Sequence, residues 1–267
     1  MKIALLLTGQ LRTVDVCKHI LKYALIDKYD VDVYMAIDTS NDIQDVYRNS
    51  IGKTSAGAIA EAVQFFQPVD LFVSSVYDYK DEIDAGTQVL LKSYIAERYL
   101  QLILRQYYFV HKCYQMMKSS GRCYDHIMRV RFDQFLWTDK TALAFETMKC
   151  TSGDIAKQNI DITKLIDVVK PLTFELDQAT ARTIRVLGLG QVHGYSYVND
   201  QFLSHGSDIN EVMSQFYSEI PKILVECTKT FFPNRGCVIE HVLHNFLCKY
   251  YVKVEKSVFN GVFVREV

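Results

Sequence analysis

The stretch Lys2-Ile3-Ala4-Leu5-Leu6-Leu7-Thr8-Gly9 decides how the chain is to be read. It is a continuous apolar run stopped by a glycine, with no alternation of polar and apolar positions. A strand of this kind needs cover on both faces, which places it inside a mostly parallel sheet. The run is too short for a secretory leader, and no small-residue cleavage site follows Gly9-Gln10-Leu11-Arg12. A buried first strand is the expectation. Outward from it, Val14, Cys17, Leu21 and Leu25 have helical spacing. Val31–Ile37 reads as a second strand, Thr54–Phe66 as a helix stopped before Pro68, and Val69–Val76 as a third strand. The order β-α-β-α-β is the signature of a doubly wound sheet.

A long helix is expected from about Gln88 to Met117, apolar on several sides and stopped by Ser119-Ser120-Gly121. Ile127–Leu136 reads as a fourth strand, and Thr138 to Asp177 as loops with a small insertion. Thr183–Leu187 and Tyr195–Phe202 look extended, Ser207–Tyr217 and Val238–Lys249 helical, and Tyr251–Glu255 a closing strand.

Length and composition suit an ordinary globular protein of one large domain, or one domain with a smaller lobe. Of 267 residues, 49% are hydrophobic, enough for a sizeable core without disulfides. Thirty basic and 31 acidic residues leave a net charge of −1, which argues against a nucleic-acid binder. No apolar stretch reaches the roughly 18 residues of a membrane span. The seven cysteines include no CxxC pair, so zinc-ribbon and thioredoxin readings fail, and a reducing compartment such as the cytoplasm is expected. The tyrosines and phenylalanines suit a core with polar handles and a sugar-binding surface.

Tyr124-Asp125-His126-Ile127-Met128-Arg129-Val130-Arg131-Phe132-Asp133 is the most informative segment for chemistry. In one strand, Arg129, Arg131 and Asp133 share a face, and Met128, Val130 and Phe132 share the other. Buried guanidiniums need anions. Asp133 can serve as one, and a diphosphate, which matches Arg donors bidentately, as another. Asp133, at the carboxyl end of the strand, could hold a divalent metal, Mn²⁺ or Mg²⁺; a purely structural ion pair is the alternative.

Thr8-Gly9-Gln10-Leu11-Arg12 combines a glycine, a following helix N-terminus and a guanidinium, suited to an anion or to an ordinary turn. Asp38 could contact a ribose or base, or form an Asx turn. Asn199 and Asp200 stand inside an apolar extended run, Asp200 as a base on an acceptor hydroxyl or as a turn residue. Ser207 and Asp208 read as the cap of the next helix. His241 and His244 lack a third ligand and do not read as a zinc site. Gly188-Leu189-Gly190-Gln191-Val192-His193-Gly194 mimics a dinucleotide loop but lacks the following helix, which weakens an oxidoreductase reading.

Taken in order, several segments resemble glycosyltransferase-like proteins of large algal DNA viruses (chlorovirus type) and of bacterial surface-polysaccharide loci. They are Leu5-Leu6-Leu7-Thr8-Gly9-Gln10-Leu11-Arg12-Thr13, Asp30-Val31-Asp32-Val33-Tyr34, Gln106-Tyr107-Tyr108 with Lys112-Cys113-Tyr114, the Tyr124–Asp133 segment, Val198-Asn199-Asp200-Gln201-Phe202 with Gly206-Ser207, and, loosely, Pro233 and Glu240. The resemblance implies a GT-A-like, Rossmann-type, mostly parallel sheet flanked by helices. It also implies transfer of a sugar from a nucleotide-sugar donor to a glycan or glycoprotein acceptor. Residues 1–137 would be the donor half of a single domain and 138–267 the acceptor side. Thr8, Gly9, Gln10, Arg12, Asp38, Arg129, Arg131 and Asn199 would line the donor pocket, with Asp133 and Asp200 nearest the chemistry. Arg131 stands where such enzymes carry the first Asp of a metal-binding Asp-x-Asp, so the arginines could neutralise the diphosphate themselves. A nucleotidyltransferase and a non-catalytic nucleotide- or glycan-binding module are the competing readings.

Overall fold

The computed structural model describes residues 1–11, 13–40, 54–138, 167, 176, 180–186, 189–192, 195–198, 203–231, 239–257 and 259–263. Strand β1 (Lys2–Gly9) lies between β2 (Asp30–Asp38) and β4 (His126–Arg131), parallel to both. The apolar run that opens the chain is therefore central, and its alternate side chains enter different cores. Ile3, Leu5 and Leu7 pack on one face of the sheet and Ala4 and Leu6 on the other, all fully buried. β3 (Asp70–Ser74) extends the sheet beyond β2, again parallel.

The complete sheet has seven strands in the order β10-β6-β9-β4-β1-β2-β3. Here β6 is Thr183–Val186, β9 is Leu203–Gly206 and β10 is Lys253–Lys256. Only β9 runs against its neighbours, β4 and β6; β10 is parallel to β6. The architecture is the expected mostly parallel α/β sheet flanked by helices. Two antiparallel strand pairs lie apart from it: β5 (Gln134–Thr138) with β11 (Phe259–Phe263), and β7 (Leu189–Val192) with β8 (Tyr195–Val198).

Helices α1 (Val14–Leu21) and α2 (Ala56–Phe66) cover one face. A π-helical turn, Lys22–Ile26, prolongs α1 and completes the helical stretch expected up to Leu25. The Ser55 hydroxyl caps α2 by accepting the Ala58 N–H. The other face carries α4 (Glu97–Ser119), α5 (Asn210–Phe231) and α6 (Ile239–Lys249).

Three expectations need correction. The long helix from Gln88 is two helices, α3 (Ala85–Tyr94) and α4, because Ile95 turns extended and buries its side chain. The strand Ile127–Leu136 breaks at Phe132-Asp133, where the chain leaves the main sheet so that β5 can pair with β11. Asp208 does not cap the next helix; its carboxylate accepts the Arg182 N–H instead, and the helix begins with a 3₁₀ turn over Ser207–Ile209. The dinucleotide-loop mimic falls partly on β7, a strand of a hairpin, so no helix follows it.

Candidate functional site

In an open α/β sheet, ligands bind beyond the carboxyl ends of the strands, where the strand order reverses. Here that point lies between β1, which leads through α1 to β2 on one side, and β4 on the other. A cleft of about 250 Å³ opens there. Its floor is the ends of three strands: Thr8, Gly9 and Gln10 after β1, Asp38 at the end of β2, and Arg129 and Arg131 on β4. Its wall is α4, through Leu102, Ile103, Arg105, Gln106 and Phe109. Register explains the convergence, since Thr8 stands opposite both Ala36 and Arg131, and Leu6 opposite Arg129.

Gly9 has φ +113°, in the region that favours glycine. A Cβ there would meet no atom within 4 Å, so the backbone is open on the cleft side. The Gln10 amide donates to the Ser40 carbonyl at 3.0 Å and ties the exits of β1 and β2 together.

Arg129 is 1% exposed, and its Nε donates to the Thr8 hydroxyl at 3.2 Å. It lies on the α4 face, where its charge partly opposes the upward push that burial gives the Cys113 thiol and the Tyr114 phenol. Arg131 is partly exposed and holds Asp133 through two bonds, Nε to Oδ1 at 2.8 Å and Nη2 to Oδ2 at 2.9 Å. Asp133 is 2% exposed, sits in the turn after β4, and is not among the residues that line the cleft. Burial, and then the Asp133 charge, raise the Cys17 pKa, so this cysteine stays a thiol and Asp133 belongs near α1.

Arg105 is the principal residue that the sequence reading missed. Its Nε donates to Asp38 Oδ2 at 2.9 Å, its Nη2 to Asp38 Oδ1 at 2.8 Å, and the same Nη2 to the Ser75 carbonyl at 3.0 Å. Asp38 Oδ1 also accepts the Ser40 N–H at 2.9 Å, which is the Asx-turn geometry. The signal was an arginine in the stripe Leu102, Arg105, Phe109, Cys113, otherwise apolar, on α4.

Of the expected site residues, the structure brings Thr8, Gly9, Gln10, Asp38, Arg129 and Arg131 into one cleft. Arg12, Asn199 and Asp200 lie outside the described residues. A divalent metal finds no ready ligand set among the described residues. Both oxygens of Asp133 accept from Arg131, and both oxygens of Asp38 accept from Arg105. No three His, Cys, Asp or Glu side chains converge among the described residues. No described helix is long and apolar enough to cross a membrane.

No family model matches the chain, and no curated protein does. Solved structures similar to it include core-mannan synthase A of Aspergillus fumigatus in a Mn/GDP form, at 9% identity and a TM-score of 0.41 over 96% of this chain and 72% of that one. Mouse xyloside xylosyltransferase 1 is similar at 11% identity and a TM-score of 0.42, covering 96% of this chain and 85% of that one. A putative glucose-1-phosphate thymidylyltransferase from Bacillus anthracis is similar at 12% identity and a TM-score of 0.34, covering 97% and 89%. At these values the likenesses carry no functional conclusion; the fold stands on strand order and register.

Proposed function

We propose that the chain is a GT-A-like glycosyltransferase that moves a sugar from a nucleotide-sugar to a hydroxyl of a glycan. One observation supports this most: two arginines of a single strand, Arg129 and Arg131, line a cleft at the switch point of the sheet, beside the glycine turn that ends β1. Guanidiniums there suit a diphosphate, and the Gly9 turn lets it approach the backbone. The ordered resemblance of the motifs to viral and bacterial glycosyltransferase-like proteins points the same way.

In this reading the bond from the anomeric carbon to the donor diphosphate breaks, and the departing phosphate oxygen gains negative charge. Arg129, Arg131 and Arg12 stabilise that charge, positioned before the reaction begins. Thr8 orients Arg129, and Asp133 orients Arg131 through its bidentate bond. Asp200 takes the proton of the acceptor hydroxyl if the reaction inverts, with Asn199 beside it. Asp38 and Asp133 are each held by an arginine, and no step is assigned to Mn²⁺ or Mg²⁺. Residues 1–137 carry the donor site and the remainder the acceptor side. The setting we propose is viral or bacterial surface-glycan synthesis in the cytoplasm.

The test is a thermal-shift and hydrolysis panel of UDP-, GDP-, CMP- and dTDP-sugars, with and without Mn²⁺ or Mg²⁺. One nucleotide class should stabilise the protein through binding linkage. Arg131→Ala should abolish that shift, and slow release of nucleoside diphosphate should accompany donor hydrolysis in the wild type. Release of pyrophosphate when a nucleoside triphosphate and a sugar 1-phosphate are supplied together would identify a nucleotidyltransferase instead. Binding without any turnover would leave a binding module, and no shift with any nucleotide would remove the donor site altogether.

A further inference from the structure

Away from the donor cleft, the segment after β3 and helix α3 stand across a groove from α5, with α4 as its floor. Two cavities of about 380 and 460 Å³ share Glu82, Ile83, Ser218 and Pro221 and so form one continuous groove. At its inner end three tyrosines meet. Tyr77 and Tyr108 have ring centroids 4.8 Å apart, Tyr108 stands edge-on to Tyr217 at 5.9 Å, and Tyr217 stacks on His111 at 5.1 Å. Their hydroxyls are tied down: Tyr77 and Tyr217 share a hydrogen bond of 2.8 Å, and Tyr217 donates to the Glu82 carboxylate. Lys112 Nζ lies 5.0 Å from the Tyr108 centroid, a cation–π contact on the groove lining.

Two further features belong to the same place. His111 Nδ1 is buried with no hydrogen-bond partner among the described residues. Burial lowers the His111 pKa, opposed by a hydrogen bond to the Ser214 backbone, so the ring is neutral, and with its one N–H given to Ser214 the other nitrogen is an acceptor. Pro221, inside α5, has no N–H, so the Tyr217 carbonyl receives no helical donor from that position. Buried polar groups are ordinarily satisfied, and His111, which lines this open groove, carries one that is not.

Charge narrows the occupant. Glu82, Asp84 and Glu226 face Lys112 and Lys222 across the two cavities, a near balance that selects against polyanions and polycations. Rigid aromatic rings beside carboxylates, an amide (Gln115) and a hydroxyl (Ser218) suit a neutral ligand with apolar ring faces and many hydroxyls. We propose that this groove is a second, non-catalytic binding site for a neutral oligosaccharide. It stands independently of the donor site. Tyr77 lines both the groove and a neighbouring cavity that shares Leu102 and Arg105 with the donor cleft, so a glycan held here would be kept close to the transferase cleft.

The test is saturation-transfer NMR on the full chain with linear neutral tetraoses of mannose, xylose and glucose, each at millimolar concentration. At least one should receive transfer in the wild type. Tyr108→Ala should lower its affinity at least tenfold, and Ser218→Trp, which fills the groove from an exposed position, should do the same. Both variants should keep the wild-type thermal shift with the active nucleotide class, or the wild-type circular dichroism if no nucleotide binds, so loss of this site is distinguishable from loss of the donor site or of the fold. No transfer to any tetraose, or transfer unchanged in Ser218→Trp, would overturn the proposal.

Discussion

Replacing Asp38 by asparagine reports most directly on how the cleft is held. The Arg105 and Asp38 side chains are 4% and 8% exposed and are joined by bonds of 2.9 and 2.8 Å. Asp38→Asn leaves the Arg105 guanidinium in a buried wall with one amide oxygen and the Ser75 carbonyl as acceptors, but without a counter-charge. Breaking a buried ion pair from one side costs roughly 3–5 kcal/mol, and the retained acceptors place the expected loss near the lower value, about 3 kcal/mol. Removing both charges, as in Asp38→Leu with Arg105→Met, should leave stability within about 2 kcal/mol of the wild type, because the desolvation of both ions disappears with their attraction. An unfolding entropy of roughly 2.1 cal/mol/K per residue gives a chain of this length a melting shift of about 5 °C for 3 kcal/mol. Urea denaturation followed by circular dichroism, with calorimetry alongside, measures both variants. If Asp38→Asn falls within about 0.5 kcal/mol of the wild type, or if the double variant is less stable than the single, the pair is not desolvated and the reasoning fails.

Burial holds His126 and His205 at pKa values of about 4, against 6.5 in an unfolded chain. The unfolded state therefore takes up protons between pH 6.5 and 4 that the folded state refuses; stability is full above about pH 6.5 and declines by roughly 2 kcal/mol per histidine by pH 5. Urea midpoints at pH 7 and pH 5 measure this, and His205→Gln should show about half the wild-type decline. Gly9→Ala should cost about 1–3 kcal/mol through its positive φ even though its methyl group has space, and an unchanged melting temperature would contradict the backbone reading. Ser55→Ala removes the α2 cap and should cost about 1 kcal/mol in the same assay, whereas Ser55→Asp should retain most of it.

Much of this architecture was legible because local pattern and burial agree. The unbroken run in β1 required two covered faces, and its alternate residues do enter two cores. Alternation along β4 separated Met128, Val130 and Phe132 from Arg129, and the former three do pack with α1 and α2. Where non-local partners decide, the sequence was silent. Nothing local ends the β4 run at Phe132; the break follows from the pairing of β5 with β11, more than a hundred residues later. Arg105 becomes a site residue only because Asp38, 67 positions away, is brought beneath it. Ile95, compatible with a helix by itself, turns inward because the core beneath it takes its side chain.

Charge balance connects the two arginine–carboxylate pairs to the chemistry proposed for the cleft. Arg105, Arg129 and Arg131 bring three positive charges, and Asp38 and Asp133 bring two negative ones, each already shared with a guanidinium. A sugar diphosphate diester adds one negative charge on each phosphate. On the proposed assignment Arg12, directly after the β1 turn, supplies the fourth positive charge, and these groups and the diphosphate together are then neutral before the proposed base Asp200 is counted. A divalent ion added to that set would leave two positive charges in excess unless further carboxylates accompanied it, and a low-dielectric cleft disfavours such an excess. The same reasoning gives the paired aspartates a clear physical role. They hold guanidiniums in fixed orientations, so the donors are aimed before the diphosphate arrives and little reorganisation remains when its charge develops.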